Sequence, residues 1–358
     1  MKPTQQLHEL GQSLWLDNIT RMMLDDGTLS RYIDELSITG LTSNPTIFDK
    51  AISEGDAYDE QIAELRRGGL ESEELFFEVA LTDLRRAAEL FEPVHERTDG
   101  VDGWVSLEVS PLLADDARRT IEQAADLHRR AACNIFIKIP GTEAGRTAIE
   151  ESIFAGVPIN VTLLFSREQY LGAADAFMRG LERRIEAGLD PDVPSVASIF
   201  VSRWDVAVMD EAPGELRGKL GIAVAKRAYA AYRELLDSER WQRLANEGAR
   251  PQRLLWASTG TKDPEASDVL YIEALVAPFT INTMPDKTLL AFADHGEVGE
   301  PLPADEGDAP EVLARFEQAG IKERELAERL QREGAETFAG SWRDLLKTIE
   351  AESERLAA

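Results

Sequence analysis

Lys138 stands in "IFIKIP", a run over 135–140 in which Ile135, Ile137 and Ile139 alternate with Phe136, Lys138 and Pro140. Period-two alternation of strong β-formers reads as a strand with a core-facing side. A lysine on its other side has three readings. It is a solvated guard against edge association, half of a buried ion pair, or an amine made nucleophilic by its surroundings. Only the third carries chemistry. In water a lysine has a pKa of about 10.4 and is a poor nucleophile at neutral pH. Withdrawal from water disfavours an ammonium group, and a free amine attacks a ketone to give a Schiff base. The iminium is an electron sink for cleaving the bond β to it.

That chemistry requires a base for the departing carbinol hydroxyl, an acid/base to move water, donors for sugar hydroxyls and a cation for any phosphate. Candidates recur along the chain. Asp17 lies in "LWLDNI", Asn44 ends "ITGLTSNP", and Glu108 lies in "WVSLEVSP". Asn160 and Thr162 alternate with Val161 and Leu163, and Ser198 and Phe200 precede Arg203. Ser258 precedes "TGTK" with Lys262, and "FTINTMP" offers Asn282 and Met284. Each has a plainer explanation. Asp17 caps a helix, Asn44 before Pro45 makes a turn, Phe200 is core and Lys262 is a solvated loop lysine. Glu108 is the ion-pair partner of Lys138, which is also an arrangement for proton transfer. An apolar lining would not repeat polar residues at the inward parity of six strands; their coincidence favours a reactive Lys138. Arg203 and Lys262 supply the cations.

The elements that must position these groups are eight apolar strands, at 14–19, 38–45, 104–111, 135–140, 159–165, 195–203, 253–258 and 279–285. Amphipathic helical stretches separate them. Strand alternating with helix implies right-handed parallel crossovers, and eight units imply an α/β fold, a single (β/α)8 TIM barrel with extra N- and C-terminal helices. Active-site groups then project from the C-terminal strand ends. No G-x-G-x-x-G follows the first strand, which disfavours a doubly wound sheet. "PGTEAG" after Lys138 lacks the G-K-[ST] of a phosphate loop and reads as a turn that starts a helix. A Gly-, Pro- and acid-rich loop at 294–310 leads into a helical extension over about 310–358.

Bulk composition narrows the function classes. The 358 residues, 43% hydrophobic, can bury a large core. A net charge of −27, from 39 basic and 66 acidic residues, repels nucleic acid and anionic membrane. A phosphate-bearing substrate therefore needs locally concentrated positive charge. The one cysteine, Cys133, excludes an internal disulfide and suits a reducing, cytoplasmic setting. None of the four histidines is spaced from another as a metal-ligand pair, so no metal is expected. The state of self-association is not legible, and a homo-oligomer stays open.

Seven segments, in order, resemble the transaldolase family: "LWLDNITR", "GLTSNPTIF", "VSLEVSP", "NIFIKIPGTEAG", "INVTLLFS", "ASIFVSRWD" and "INTMP". The resemblance runs from Trp15 to Pro285, and "WASTGTKDP" is similar to a longer bacterial subgroup. It implies a class I aldolase-type barrel without metal or organic cofactor. It implies transfer of a dihydroxyacetone unit from sedoheptulose 7-phosphate or fructose 6-phosphate to glyceraldehyde 3-phosphate or erythrose 4-phosphate. By the same resemblance Lys138 forms the Schiff base and Asp17 handles the C4 hydroxyl. Glu108 with Thr162 positions the catalytic water, and Asn44, Asn160 and Ser198 hold the dihydroxyacetone hydroxyls. Phe200 walls the pocket and Arg203 binds phosphate. Where the family pattern has an arginine two residues after Ser258, this chain has Gly260, with Lys262 nearby as a substitute point charge. Two other readings are an aldolase that cleaves without transfer, and a sugar-phosphate binder that needs Arg203 and Lys262 but not Lys138.

Overall fold

The computed structural model describes residues 1–357. Eight parallel strands close into a barrel in chain order, with β1 beside β8. They are β1 (Ser13–Leu16), β2 (Ile38–Thr42), β3 (Trp104–Glu108), β4 (Ile135–Pro140), β5 (Ile159–Leu164), β6 (Ser195–Phe200), β7 (Arg253–Ala257) and β8 (Ile281–Met284). Only β4 has both the expected ends; the others stop short of the expected C-terminal limit. The reason is local. Asn44 already caps the helix Pro45–Ser53, accepting from the Ile47 amide at 3.1 Å. Ser202 opens a short helix, Ser202–Ala207, so Arg203 is helical rather than the last strand residue. Ser258 takes a left-handed φ of +56° that ends β7. The chain leaves the ladder where polar side chains begin to gather.

Inward and outward residues alternate as a half-polar strand requires. Ile135, Ile137 and Ile139 join the core between barrel and helices. Phe136, Trp15 and Trp104 fill the barrel floor, with the Trp104 and Phe136 rings stacked at 4.1 Å. Gly40 is required there, because a Cβ would lie 2.6 Å from the Trp104 carbonyl oxygen and 2.7 Å from the Trp15 ring. Two residues past Trp15, Trp104 and Phe136 the lining turns polar, at Asp17, Ser106 and Lys138.

β8 corrects one expectation. Its parity is the reverse of that read from the sequence: Thr283 faces inward, with its hydroxyl 2.9 Å from that of Thr42. Met284 belongs to the outer core, and Asn282 is fully buried with neither side-chain polar atom hydrogen-bonded.

Thr142 accepts from the Gly145 amide at 3.0 Å and starts the helix Glu143–Phe154, so "PGTEAG" is a helix-starting turn. The expected C-terminal extension is two helices, Ala309–Gln318 and Glu323–Ala357; residue 358 of that expectation lies outside the described residues. No helix among the described residues is long and apolar enough to cross a membrane.

Candidate active site

Register brings the central group together. Glu108 pairs with Lys138 across β3 and β4, and Lys138 with Asn160 across β4 and β5. Three neighbouring strands therefore present carboxylate, amine and amide in one row. Lys138 is buried, donates to the Ser43 carbonyl at 3.0 Å, and holds Glu108 Oε2 at an ion-pair distance of 3.5 Å. Neither gatekeeper nor solvated lysine describes it. The Thr162 hydroxyl, on the chamber wall with Lys138, is buried with no hydrogen-bond partner among the described residues, so it can bond a bound group. Burial raises the Glu108 pKa, and the Lys138 ammonium opposes the rise.

Asp17 lies one residue past β1. It does not cap the following helix; Thr20 does, accepting from the Met23 amide at 3.2 Å. Asp17 instead accepts from the Thr42 hydroxyl at 2.9 Å. Enclosure by protein raises its pKa; the Lys138 ammonium and the Thr42 hydrogen bond lower it, and the Asp286 carboxylate adds to the rise. Asp286 is itself held by the Asn18 amide at 2.5 Å.

Ser198 donates to Asn160 Oδ1 at 2.8 Å, and Asn160 donates to the Ser106 hydroxyl at 3.1 Å. This chain of neutral donors fixes the Asn160 amide beside Lys138. Ser258 and Ser202 share a hydroxyl contact of 2.9 Å. Lys138, Asp17, Asn44, Thr162, Ser198, Phe200, Arg203 and Ser258 all line one chamber of about 110 Å³. Glu108 and Asn160 sit behind this surface, in contact with Lys138 and Ser198. The chamber adjoins a second, of about 410 Å³, sharing Asp17, Asn44 and Arg203.

Arg203 lies with its guanidinium 5.7 Å from the Phe200 ring centroid. Burial lowers its pKa, and no carboxylate offsets that desolvation. A half-buried arginine with no acidic partner among the described residues is arranged to receive an anion. Asp205, two residues on, anchors its short helix by accepting from the amides of Leu220 at 2.9 Å and Gly221 at 3.1 Å and from the Tyr271 hydroxyl at 2.9 Å. Lys262 does not line the Lys138 chamber. It is exposed on the loop after β7, with Nζ turned back to within 3.9 Å of where a Gly260 Cβ would sit.

A larger cavity, of about 640 Å³, opens at the opposite end of the barrel beside Ser13 and Arg253. Its arginines are consumed by structure: Arg253 donates to the Ser13 hydroxyl, Asp102 and the carbonyls of Val101 and Thr280, Arg250 pairs with Asp99 and Asp192, and Arg233 donates to the Tyr229 hydroxyl. Size alone would select the wrong end; the reactive groups gather at the strand C-termini, as parallel barrels require.

The sequence profile of the Transaldolase/Fructose-6-phosphate aldolase family matches residues 14–349. The chain belongs to this family. Among similar family members, the Transaldolase of Thermobifida fusca is 46% identical, covering 99% of this chain and 99% of its own length. Transaldolase 2 of Streptomyces coelicolor is 44% identical over 99% of this chain and 98% of its own. The Transaldolase of an Arthrobacter species is 45% identical over 97% and 96%. Family membership accounts for the barrel and for the polar rim at one end of it. Two residues at the chamber carry no signal in the strand pattern. Thr283 was hidden by the misread parity of β8. Phe338 lines both chambers from the helix Glu323–Ala357, and no strand pattern links that helix to the barrel mouth.

Proposed function

We propose that the chain is a transaldolase, moving a dihydroxyacetone unit between sugar phosphates through a Schiff base on Lys138. The observation that carries this reading is a buried lysine with a carboxylate at 3.5 Å and a second carboxylate on the same chamber. Nζ of Lys138 adds to the ketose C2 carbonyl. Glu108 and Thr162 hold the water that leaves when carbinolamine becomes iminium; the Glu108 carboxylate at 3.5 Å from the Lys138 amine and the unpartnered Thr162 hydroxyl support that role. The Asp17 carboxylate takes the proton of the C4 hydroxyl as the C3–C4 bond breaks. The electron pair of that bond enters the iminium as an enamine, and the aldose leaves. An acceptor aldehyde then reverses the sequence. Asn44, Asn160 and Ser198 hold the three-carbon unit, and Asn44 serves this with its amide N–H groups, since its oxygen caps a helix. Phe200 walls the pocket, and Arg203 binds the phosphate, its missing acidic partner supporting the assignment. Ser258 lines the same chamber, and Lys262, outside it, adds positive charge that reaches Asp17. Positive charge gathered there offsets the repulsion of an anionic substrate by a chain of net charge −27.

Borohydride added with fructose 6-phosphate is expected to leave a covalent adduct on the peptide carrying Lys138. Peptide mapping decides it: a label on another lysine, or none, removes the mechanism.

The direction of the Asp17 shift gives a pH prediction. A carboxyl with a raised pKa is a working base only above that pKa, so kcat/KM falls as pH drops through it. Asp286 is one of the groups that raises it. Asp286→Asn is therefore expected to move the acid limb of the kcat/KM profile to lower pH. A limb that stays in place or moves up contradicts the assignment of Asp17 as the base.

A further inference from the structure

The helix Glu323–Ala357 crosses the mouth of the barrel and is fastened on both sides of one aromatic residue. Gln331 Nε2 donates to the Leu163 carbonyl at 3.0 Å, at the catalytic end of β5, and to the Gly141 carbonyl at 3.2 Å, just past that of β4. Leu163 has a left-handed φ of +58°, at an irregularity in the β5–β6 register, so the latch grips a strained turn beside Thr162. Gly334 lets the helix come down onto it: a Cβ there would lie 3.0 Å from Leu163 Cδ2. Beyond, Trp342 is buried edge-on against Phe76 at 5.0 Å. Between these anchors, two helical turns after Gln331, Phe338 reaches the chamber of Lys138 and meets Phe200 edge-on at 6.5 Å. It also lines the outer chamber. It thus stands where the small inner space opens to the larger one.

Resting on the Schiff-base reading, we infer that Phe338 is a specificity-determining residue that reserves the enamine for an aldehyde rather than for a proton. After cleavage, the enamine carbon holds the electron pair of the broken bond. In transfer, that pair forms a bond to the aldehyde carbon, and the aldehyde oxygen takes back the proton held by the Asp17 carboxyl. In release, the same pair takes a proton from water, leaving iminium and hydroxide. The hydroxide adds to the iminium carbon, the proton of the new hydroxyl passes to nitrogen as the C–N bond breaks, and dihydroxyacetone and the free amine result. The two fates differ in whether water reaches that carbon. Phe338 has no group able to donate a proton, and rigid anchoring of its helix keeps its ring over the opening, where it excludes water.

The test measures free dihydroxyacetone against transfer product, with fructose 6-phosphate as donor and with or without erythrose 4-phosphate. Phe338→Ala is expected to raise the release-to-transfer ratio by about tenfold or more, equivalent to about 1.4 kcal/mol in relative barrier. Phe338→Leu, which keeps an apolar plug, is expected to fall between it and the parent. Borohydride labelling of Lys138 is expected to persist in both. If the ratio stays constant while both rates fall together, Phe338 is only structural and the inference is overturned. Should Phe338→Ala fail to fold, the leucine variant decides by the same ratio. A parent protein that neither labels at Lys138 nor transfers would sink the underlying function instead.

Discussion

Lys138→Met is expected to abolish transfer, lowering kcat by about 10^4-fold or more, as loss of a covalent nucleophile does, and to leave no borohydride adduct. Methionine retains an unbranched chain of similar length and removes only the amine. The fold is expected to survive, because the surroundings can adjust in protonation. Burial already raises the Glu108 pKa, and the Lys138 ammonium opposes that rise. Without the ammonium the carboxyl stays protonated more readily, so no uncompensated buried charge is forced on the variant. Arg203 and the neutral hydroxyl and amide groups remain. Binding of fructose 6-phosphate to the variant, measured by calorimetry, is expected to stay within about tenfold of the parent, since covalent chemistry and phosphate recognition draw on different residues. This separates an enzyme from a binder. A protein whose purpose was sensing sugar phosphate would lose nothing with Lys138, whereas a variant retaining turnover would exclude the Schiff base altogether.

The barrel was legible because its signal is repeated. Eight apolar runs alternating with amphipathic helices leave few topologies, and a closed eight-stranded order follows. The strand ends were less legible for a physical reason. The polar alternation that marks the lining, such as Asp17 after Trp15 and Ser202 after Phe200, continues through residues that have left the ladder for turns and helix caps. Period alone does not register that exit. At β8 the strand is only four residues long, and a one-residue slip in reading it exchanged Thr283 for Asn282. The same rule shows why slips there matter: side chains on adjacent positions point to opposite faces.

The site was legible where its residues are strand-borne, since the row Glu108–Lys138–Asn160 is set by register. What sequence could not show is everything that arrives from a distance. Asp286 reaches Asp17 as a field, Asp205 fixes Arg203 through the start of the next long helix, and Phe338 arrives from a helix 200 residues beyond Lys138. None of these has a local pattern, because each depends on how the outer helices settle against the barrel rim. The acidic composition was similarly mute about the chamber. A net charge of −27 describes the exterior, while the interior holds a lysine and an unpaired arginine.

Asp17→Ala separates bond cleavage from Schiff-base formation. General acid–base groups contribute about 10^2- to 10^4-fold, and the whole of that loss is expected in kcat, with KM for fructose 6-phosphate little changed. Borohydride trapping at Lys138 is expected to persist, because amine addition to C2 precedes the step that Asp17 serves. Stability is expected to move the other way. A carboxyl whose pKa is higher in the folded than in the unfolded chain costs stability at every pH above the folded value, where it must ionise in a poorer environment. Asp17 has such a raised pKa. Removing it at neutral pH lifts that cost. The group that loses a partner, the Thr42 hydroxyl, keeps its contact with Thr283 at 2.9 Å, and Lys138 keeps Glu108 at 3.5 Å. Thermal unfolding of Asp17→Ala is therefore expected at or above the temperature of the parent at pH 7, and the difference should shrink as pH falls toward the ordinary range of a carboxyl. An inactive variant that also unfolds earlier would mean that Asp17 holds the barrel mouth together. Loss of activity with stability intact or raised is the signature of a residue kept for chemistry at the expense of the fold.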